Sequence, residues 1–414
     1  MLRQIEGSQA MAHAVAMSRP EVISAYPISP QTHIVEKLSA LVKSGDLKGC
    51  EYVNMESEFG AMSGCIGASA AGARTYTATA SQGLLFMAEA VYNASGMGLP
   101  IVMTVANRAL GAPINIWNDH TDAMSQRDSG WIQLYAEDNQ EATDLHVQAF
   151  KIAEELSCPV MVCVDGFILT HAMESVDLPE KEDVDKFLPS YEPRQVLDPE
   201  RPMSMGAMVG PEAFMEVRYL ANNRQVEALE YIPKVQEEWK EIFGRDSGGL
   251  IKPYRMEDAE TVIIALGSVL GTIKDVVDER REKGEKIGVL GIVSFRPFPG
   301  DAIREALKDA KKVVVLEKAF SVGSGGIVGP HVRLQLPQDA QMYDVIAGLG
   351  GRPITKTSIN KMLDHAVSGD LKELTFMDLD CALVTQELER EAKTRRSGPP
   401  AENILRDVRS WTGY

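Results

Sequence analysis

Along residues 1–175, two patterns of hydrophobic and polar positions alternate. Short apolar runs bounded by proline or polar residues predict buried strands over residues 22–26, 52–55, 75–80, 101–106 and 160–164. Longer segments rich in apolar or small side chains predict helices over residues 8–18, 59–71, 83–95 and 142–156, and one that begins at Thr32. Repeated alternation of apolar strands with helices predicts an α/β fold, in which helices cover both faces of a parallel sheet.

The pattern changes after residue 175. Residues 176–255 are rich in charge and proline and end in a helical stretch over residues 211–243, so we expect a connecting segment with one or two helices. A second, smaller α/β unit is predicted over residues 256–382, with strands at 261–266, 287–293 and 312–316 and helices at 271–283 and 301–310. Residues 383–414 are expected to form a C-terminal arm that wraps a partner or stays mobile.

Composition and charge narrow the functional class. The 414 residues are 44% hydrophobic and 24% charged, which is typical of a soluble globular protein. Lysine and arginine total 42 against 59 for aspartate and glutamate, and the resulting net charge of −17 argues against a nucleic-acid partner. The N-terminus has no apolar leader, and no run approaches the ~18 apolar residues of a membrane span. The sequence therefore predicts a cytoplasmic protein that does not contact a membrane.

Common signatures of metal, nucleotide and hydrolase sites are missing. None of the five cysteines forms a Cys-x-x-Cys pair, so we expect buried, reduced thiols and no metal or cluster on this chain. There is no Walker A loop, no His-Glu-x-x-His and no Gly-x-Ser-x-Gly. Residues 323–329 (GSGGIVG) approach a dinucleotide fingerprint, but the last glycine is one position late. A tight turn before a helix is the favoured interpretation, and a nucleotide site is the alternative.

Polar side chains follow three predicted strands of the first unit, and in an open parallel sheet ligands bind beyond the carboxyl ends of strands. Ser29 lies between two prolines, Glu58 precedes a helix of small residues, and Arg108 follows the end of the strand over residues 101–106. Each has a structural alternative: a turn residue, a first-turn helix carboxylate and a surface ion-pair residue. Their occurrence at successive strand ends favours a shared site.

Several motifs in one order carry a resemblance to a known family. They are residues 26–32 (YPISPQT), 55–61 (MESEFGA), 79–84 (TASQGL), 118–122 (NDHTD), 126–131 (QRDSGW), 295–299 (FRPFP) and 323–326 (GSGG). On these motifs the sequence resembles the alpha subunit of multi-subunit pyruvate:ferredoxin oxidoreductases, within the 2-oxoacid:ferredoxin oxidoreductase family. The resemblance covers residues 1 to about 340.

The resemblance implies a pyrimidine-binding-type domain of thiamine diphosphate enzymes, followed by a transketolase C-terminal-like domain. Glu58 matches the catalytic glutamate that bonds the cofactor's aminopyrimidine ring; sharing a proton with N1′ favours the imino tautomer that removes the C2 proton. Arg108 matches the position that binds the substrate carboxylate. Ser29 matches a substrate-side hydroxyl that is usually threonine in the family. Ser81 and Gln82 are expected on the cofactor side or in subunit contacts.

The resemblance also implies partner chains. Thiamine enzymes usually bind magnesium and diphosphate through Gly-Asp-Gly and a downstream asparagine, and this chain has no Gly-Asp-Gly. The diphosphate half and Mg²⁺ are therefore expected on a beta subunit. The [4Fe-4S] clusters are expected on partner chains too, among gamma and ferredoxin-like delta subunits, with ferredoxin and coenzyme A as further partners.

The implied function is oxidative decarboxylation of pyruvate to acyl-CoA and CO₂ with electrons passed to ferredoxin, or the reductive reverse. Other substrates stay open, namely 2-oxoisovalerate, 2-oxoglutarate and oxalate. A non-catalytic scaffold subunit is a further alternative, although such a chain would not need Ser29, Glu58 and Arg108 together. A nucleotide-binding dehydrogenase is disfavoured by the irregular glycine spacing of residues 323–329.

Overall fold

Parallel sheets sandwiched by helices form both halves of the chain. The computed structural model describes the backbone of residues 2–412 and the side chains of residues 2–408. The strands are β1 (Leu2–Glu6), β2 (Val22–Ala25), β3 (Glu51–Asn54), β4 (Thr75–Thr79), β5 (Val102–Asn107), β6 (Ile132–Tyr135), β7 (Val160–Asp165), β8 (Met173–Asp177), β9 (Ile251–Tyr254), β10 (Thr261–Ala265), β11 (Ile287–Ile292), β12 (Ser294–Arg296), β13 (Lys312–Glu317), β14 (Gln341–Ile346) and β15 (Leu374–Phe376).

The helices alternate with these strands, as the sequence pattern predicts. They are α1 (Gly7–Met17), α2 (Thr32–Ser44), α3 (Glu58–Ala70), α4 (Ser81–Phe86), α5 (Ala88–Gly96), α6 (Thr121–Ser125), α7 (Asn139–Leu156), α8 (Lys181–Phe187), α9 (Phe214–Phe243), α10 (Val269–Arg281), α11 (Gly300–Ala306), α12 (Gly329–Arg333), α13 (Lys356–Ser368), α14 (Cys381–Lys393) and α15 (Pro400–Thr412). None of the helices in this described part of the chain is long and apolar enough to cross a membrane.

The first sheet has seven strands in the order β12–β6–β7–β5–β4–β2–β3. The six strands from the N-terminal half run parallel, and β12, from the second half, pairs antiparallel with β6. Along β7, Val160, Val162 and Val164 point into one apolar cluster, whereas Met161 and Cys163 point into the cluster on the other face. A strand buried on both faces explains the continuous apolar runs, and the predicted α/β class is confirmed.

Both apolar clusters extend beyond the first sheet, and one of them reaches the second sheet. On one face, Met11 of α1 and Phe150 of α7 share a cluster with Trp239 of α9. On the other, Met62 of α3 belongs to a cluster that continues to Val262 of β10. The second sheet has the order β15–β14–β13–β10–β11–β9 and is parallel except for β9, which is antiparallel to β11. The first sheet and the second therefore share one apolar cluster.

The apolar pattern does not predict some elements of the structure correctly. The helix expected over residues 83–95 is two helices, α4 and α5, with Met87 between them. The pattern does not predict β6, which carries the buried amide of Gln133, or the antiparallel pair β1–β8. In the second half it misses β9, β12, β14, β15 and α13. The expected helix over residues 211–243 is confirmed as α9.

The predicted boundaries of the connecting segment lie in or next to strands of the structure. The boundary at residue 175 lies inside β8, and β9 ends one residue before the boundary at 255. The expected arm over residues 383–414 contains most of α14 and the whole of α15, and Arg390 Nη2 of α14 donates to Asp407 Oδ2 of α15 at 2.6 Å. The division into four segments stays a prediction.

Candidate active site

The candidate residues lie beyond the carboxyl ends of neighbouring strands. Ser29 follows β2, Glu58 follows β3, Ser81 follows β4 and Arg108 follows β5. Because these four strands are adjacent and parallel, their carboxyl ends meet at one edge of the sheet. The loops that carry the candidate side chains are therefore neighbours in space, as the sequence pattern predicts.

Glu58 is a buried carboxylate for which the described residues supply no partner. It is the first residue of α3, directly after Ser57, whose side chain caps the helix by accepting a hydrogen bond from the Gly60 N–H at 3.1 Å. Only 9% of Glu58 is exposed, and among the described residues its carboxylate takes part in no hydrogen bond or ion pair. Buried charged groups are normally paired. The Glu58 carboxylate is therefore available to a group outside the described part of the chain.

A glycine lets this carboxylate approach the backbone of α4 closely. A Cβ atom at Gly83 of α4 would stand 2.7 Å from Glu58 Oε1 and 2.7 Å from Thr79 Oγ1, so a larger residue would displace both. The buried Thr79 hydroxyl, at the end of β4, also has no hydrogen-bond partner among the described residues. Two unsatisfied oxygens beside a glycine indicate a polar ligand site with close backbone approach.

Glu56, two residues earlier, has a different environment. Its side chain is exposed, and its carboxylate accepts a hydrogen bond from Ser57 Oγ at 3.1 Å. Since β3 ends at Asn54 and α3 begins at Glu58, the chain turns between the two glutamates. The structure thus buries Glu58 and leaves Glu56 in contact with solvent.

Arg108 and Ser29 meet across the strand ends. Arg108 Nη1 donates to the Ser29 carbonyl at 2.9 Å, and Nε donates to the Asn115 carbonyl at 3.3 Å. The half-buried guanidinium has five N–H donors, and no described residue accepts from Nη2. Burial lowers the pKa of Arg108 and the nearby Asp122 opposes that shift, so the side chain stays a cation. Ser29 is exposed, which leaves the donor face of Arg108 beside an open surface.

Ser81 and Gln82 support the loop after β5. The Ser81 hydroxyl donates to the Ala109 carbonyl at 2.5 Å, and the Ser81 backbone is left-handed, with φ of +50°. Gln82 packs on Gly111, where a Cβ atom would stand 2.5 Å from Gln82 Nε2. The buried Ser81 hydroxyl is thus used inside the chain, and the half-buried Gln82 side chain covers the following loop.

A buried ionic network, which strand-end reasoning alone misses, joins the two halves. Asp165 ends β7 and accepts from Lys318 Nζ at 2.9 Å, His120 Nε2 at 2.6 Å and the Ser268 N–H at 3.0 Å. Although burial raises its pKa, Lys318 and His120 together hold the pKa of Asp165 well below the usual value. In the sequence, the feature that could have indicated this network is Asp165, a charged residue at the end of an otherwise apolar strand.

The glycine-rich segment binds a carboxylate of its own chain. Glu317, at the end of β13, accepts hydrogen bonds from the N–H groups of Ile327, Val328 and Gly329 at 2.7, 2.8 and 2.7 Å. These donors would otherwise be available to a phosphate. Because Glu317 occupies them and α12 follows at Gly329, the interpretation as a tight turn before a helix is confirmed.

A separate cavity lies at the other end of the first sheet. It has a volume of about 360 Å³ and is lined by residues that precede β6 and β7, such as Trp131 and Cys158, and by Arg127 and Arg296. None of the candidate residues lines it. The candidate residues therefore lie apart from this cavity.

Comparison with known proteins gives consistent matches along the chain. Residues 13–237 match the family described as pyruvate flavodoxin/ferredoxin oxidoreductase, thiamine diphosphate-binding, and residues 259–359 match the pyruvate:ferredoxin oxidoreductase core domain II. The chain is 53% identical over 385 residues to the pyruvate synthase subunit PorA of Methanosarcina barkeri, which covers 91% of this chain and 96% of that relative. It is 40% identical over 374 residues to the ketoisovalerate oxidoreductase subunit VorA of Pyrococcus horikoshii, covering 89% and 93%.

A solved structure has the same fold. The 2-oxoglutarate:ferredoxin oxidoreductase from Magnetococcus marinus, determined with 2-oxoglutarate, coenzyme A and succinyl-CoA bound, superimposes with a TM-score of 0.69 at 20% sequence identity. The match covers 89% of this chain and 65% of that chain.

Proposed function

Because the chain belongs to the 2-oxoacid:ferredoxin oxidoreductase family, we propose that it is the alpha subunit of a pyruvate-type enzyme and supplies the pyrimidine-binding half of a thiamine diphosphate site. The reaction is oxidative decarboxylation of pyruvate, with the acetyl group passed to coenzyme A and the electrons to ferredoxin, or the reductive reverse. The observation that carries the proposal is the buried, unpaired Glu58 carboxylate beside Gly83, at the same sheet edge as Arg108.

Pyruvate is favoured by the relatives. The pyruvate synthase subunits PorA of Methanosarcina barkeri and Methanothermobacter thermautotrophicus are 53% and 46% identical to this chain. The ketoisovalerate oxidoreductase subunit VorA, at 40% identity, makes 2-oxoisovalerate the second candidate.

The residues beside Glu58 fit the aminopyrimidine ring of thiamine diphosphate. The cofactor, when bound, supplies the carbanion chemistry at the keto carbon that protein side chains lack. Glu58 would hold a proton shared with the ring nitrogen N1′, and its burial strengthens that hydrogen bond because water is excluded. Gly83 lets the Glu58 carboxylate pack against the backbone of α4, which a larger residue would prevent. In this proposal residues 1–175 form the pyrimidine-binding-type domain, and residues 256–382 the transketolase C-terminal-like domain.

Arg108 would bind the substrate carboxylate. Its guanidinium is held through Nε and Nη1 by two backbone carbonyls, which leaves Nη2 without an acceptor among the described residues. A planar, permanently charged donor suits a carboxylate, and the two carbonyl contacts limit the side-chain freedom that is lost when substrate binds. Ser29 stands beside this guanidinium and would line the same substrate side.

A partner chain would complete the site through an apolar rim. Phe59 of α3 and Phe86 of α4 are exposed with ring centroids 6.3 Å apart, and Tyr92 of α5 is exposed as well. In the loop after β5, Ile114 is 81% exposed and Trp117 is 52% exposed. Apolar patches of this kind mark protein interfaces. We assign this rim to the beta subunit, which would hold the diphosphate and Mg²⁺.

The electron-transfer groups are assigned to other chains. Burial raises the pKa of Cys50, Cys65 and Cys158 to about 12, so these side chains are neutral thiols and poor cluster ligands. The [4Fe-4S] clusters are therefore proposed on gamma- and delta-type partners, which would pass electrons to ferredoxin. Free, reduced thiols also favour a cytoplasmic complex.

Assay of the co-purified complex tests the proposed function. The complex is supplied with coenzyme A, an oxidised viologen or ferredoxin, and in turn pyruvate, 2-oxoisovalerate, 2-oxoglutarate or oxalate. We expect the highest kcat/KM with pyruvate, and no oxoacid-dependent reduction by the isolated chain. A preference for 2-oxoisovalerate would select the second candidate. Absence of activity with every 2-oxoacid, or robust activity of the chain alone, would overturn the proposal.

A further inference from the structure

Asp122 connects the two loops that carry Ser81 and Arg108. This residue of α6 is fully buried, and its Oδ2 atom accepts from the backbone N–H groups of Ser81 and Arg108, each at 2.9 Å. Its Oδ1 atom accepts from Asn107 Nδ2 at 2.8 Å and from the Ala123 N–H at 2.7 Å. One carboxylate thus holds the carboxyl ends of β4 and β5 at a fixed distance.

The contact reaches the substrate-binding group through the backbone. Asp122 accepts a hydrogen bond from the Arg108 N–H. The Ser81 hydroxyl donates to the carbonyl of the following residue, Ala109. The Arg108 backbone is therefore held on both sides, and its guanidinium projects from this anchored point to the Ser29 carbonyl. Displacing the anchor by even a fraction of an ångström would move the donor that faces the substrate.

We propose that Asp122 is a positioning residue, whose carboxylate sets the Arg108 guanidinium for the carboxylate of the 2-oxoacid. The inference rests on the proposed function of Arg108. Asp122 itself would contact neither the substrate nor the cofactor. Its effect should appear in the KM for the oxoacid more than in kcat, because Arg108 acts in substrate binding.

The ionisation of Asp122 supplies a second, independent signature. Burial raises the pKa of Asp122 to about 6, while the donors on Asn107, Ser81, Arg108 and Ala123 oppose that shift. Three other titratable groups interact with Asp122. The Arg108 guanidinium stays a cation, and Tyr135 and Cys163, whose own pKa values are raised, first by burial, both stay neutral at this pH. As the pH falls through about 6, the carboxylate gains a proton and its hydrogen bonds to the backbone weaken. The oxoacid KM should therefore rise at low pH.

The primary test is Asp122→Asn in the co-purified complex. An amide cannot accept at both of its atoms, so two of the four donors lose their acceptor whichever way it is oriented. We expect the KM for pyruvate to rise at least ~5-fold at neutral pH with a smaller change in kcat. In an Arg108→Leu background the same change should add no further rise, because the two residues act in series.

Asp144→Asn is the matched control. Asp144 is also fully buried and accepts four hydrogen bonds, from Gln140, Ser247 and two nitrogens of Arg245. It lies in α7, away from the strand-end site. Asp144→Asn should lower thermal stability and leave the oxoacid KM unchanged. An equal rise in KM for both variants would mean that Asp122 has only a structural role.

The pH profile keeps the proposal testable if Asp122→Asn does not fold. Removing one donor with Asn107→Ala should raise the pKa of Asp122 and shift the low-pH rise in KM to higher pH. A wild-type KM that is flat between pH 5 and pH 8, or an unshifted profile in Asn107→Ala, would overturn the proposal. If Arg108→Leu raises KM and Asp122→Asn does not, the positioning role is wrong although the proposed function stands. If Arg108→Leu in an active complex also leaves KM unchanged, the assignment of Arg108 itself is wrong, and with it the basis of this inference.

Discussion

Replacing Arg108 with leucine should separate substrate binding from the rest of the reaction. The guanidinium donates to the carbonyls of Ser29 and Asn115, at 2.9 and 3.3 Å, and Nη2 has no acceptor among the described residues. A charge-assisted hydrogen bond contributes about 1.5–3 kcal/mol, which corresponds to a factor of about 10 to 150 in kcat/KM. Because Ser29 is exposed, water can replace the lost contact to its carbonyl, so we expect little loss of stability.

Steady-state kinetics of the co-purified complex measure this effect. Arg108→Leu should lower kcat/KM for pyruvate at least ~10-fold, mainly through KM, while retention of thiamine diphosphate should change less. Arg127→Leu is the control, since Arg127 is partly buried like Arg108 but lines the cavity at the opposite end of the sheet. If Arg108→Leu folds and leaves the kinetics unchanged, Arg108 is a structural residue that only fastens the Ser29 loop.

Two further predictions concern stability. Burial and the neighbouring Asp344 raise the pKa of Glu317 to about 8, so the folded chain keeps a proton that the unfolded chain releases above pH 4.5. Thermal stability should therefore fall as the pH rises from 4.5 towards 8, and Glu317→Gln should flatten that dependence; an unchanged slope would contradict the prediction. Lys318→Met leaves the buried Asp165 without its ammonium partner and should lower the free energy of unfolding by about 3–5 kcal/mol, whereas the exposed Lys240→Met should have little effect on the apparent Tm.

The sheet edge is predictable from the sequence because its signal is local. Apolar runs identify the buried strands, and a parallel sheet brings their carboxyl ends to one edge whatever the exact pairing. Glu58 and Arg108 could therefore be placed near each other before any contact was known. The contact of Arg108 with the Ser29 carbonyl, across 79 residues of sequence, follows from this shared edge.

The supporting contacts are not predictable in the same way. Asp122 reaches Ser81 across 41 residues and Arg108 across 14, through a short helix that has no strong apolar pattern. Likewise, β12 leaves the second half of the chain to join the first sheet, although its three residues carry too little pattern to indicate a partner strand. These features depend on tertiary packing, which overrides local preference.

The function of the glycine-rich segment, residues 323–329, cannot be predicted from its motif alone. Spacing alone leaves a turn and a nucleotide site as alternatives. The structure distinguishes the two through Glu317, which lies ten residues before Ile327 in the sequence. The Glu317 carboxylate accepts hydrogen bonds from the backbone N–H groups that a phosphate would need. Similarly, whether Glu56 or Glu58 is the buried glutamate depends on the turn between β3 and α3, which the spacing of two residues does not determine.

Exchange of the C2 proton of thiamine diphosphate in the assembled complex tests the central claim most directly. Glu58→Gln keeps the size of the side chain but cannot share a proton with N1′ as a carboxylate does, so the complex should assemble and retain cofactor while exchange slows at least ~100-fold. Glu56→Gln is the matched control, because Glu56 is exposed and bonded only to Ser57. It should exchange at nearly the wild-type rate. Wild-type exchange in Glu58→Gln, or a larger loss in Glu56→Gln, would show that the buried glutamate is not the group that activates the cofactor.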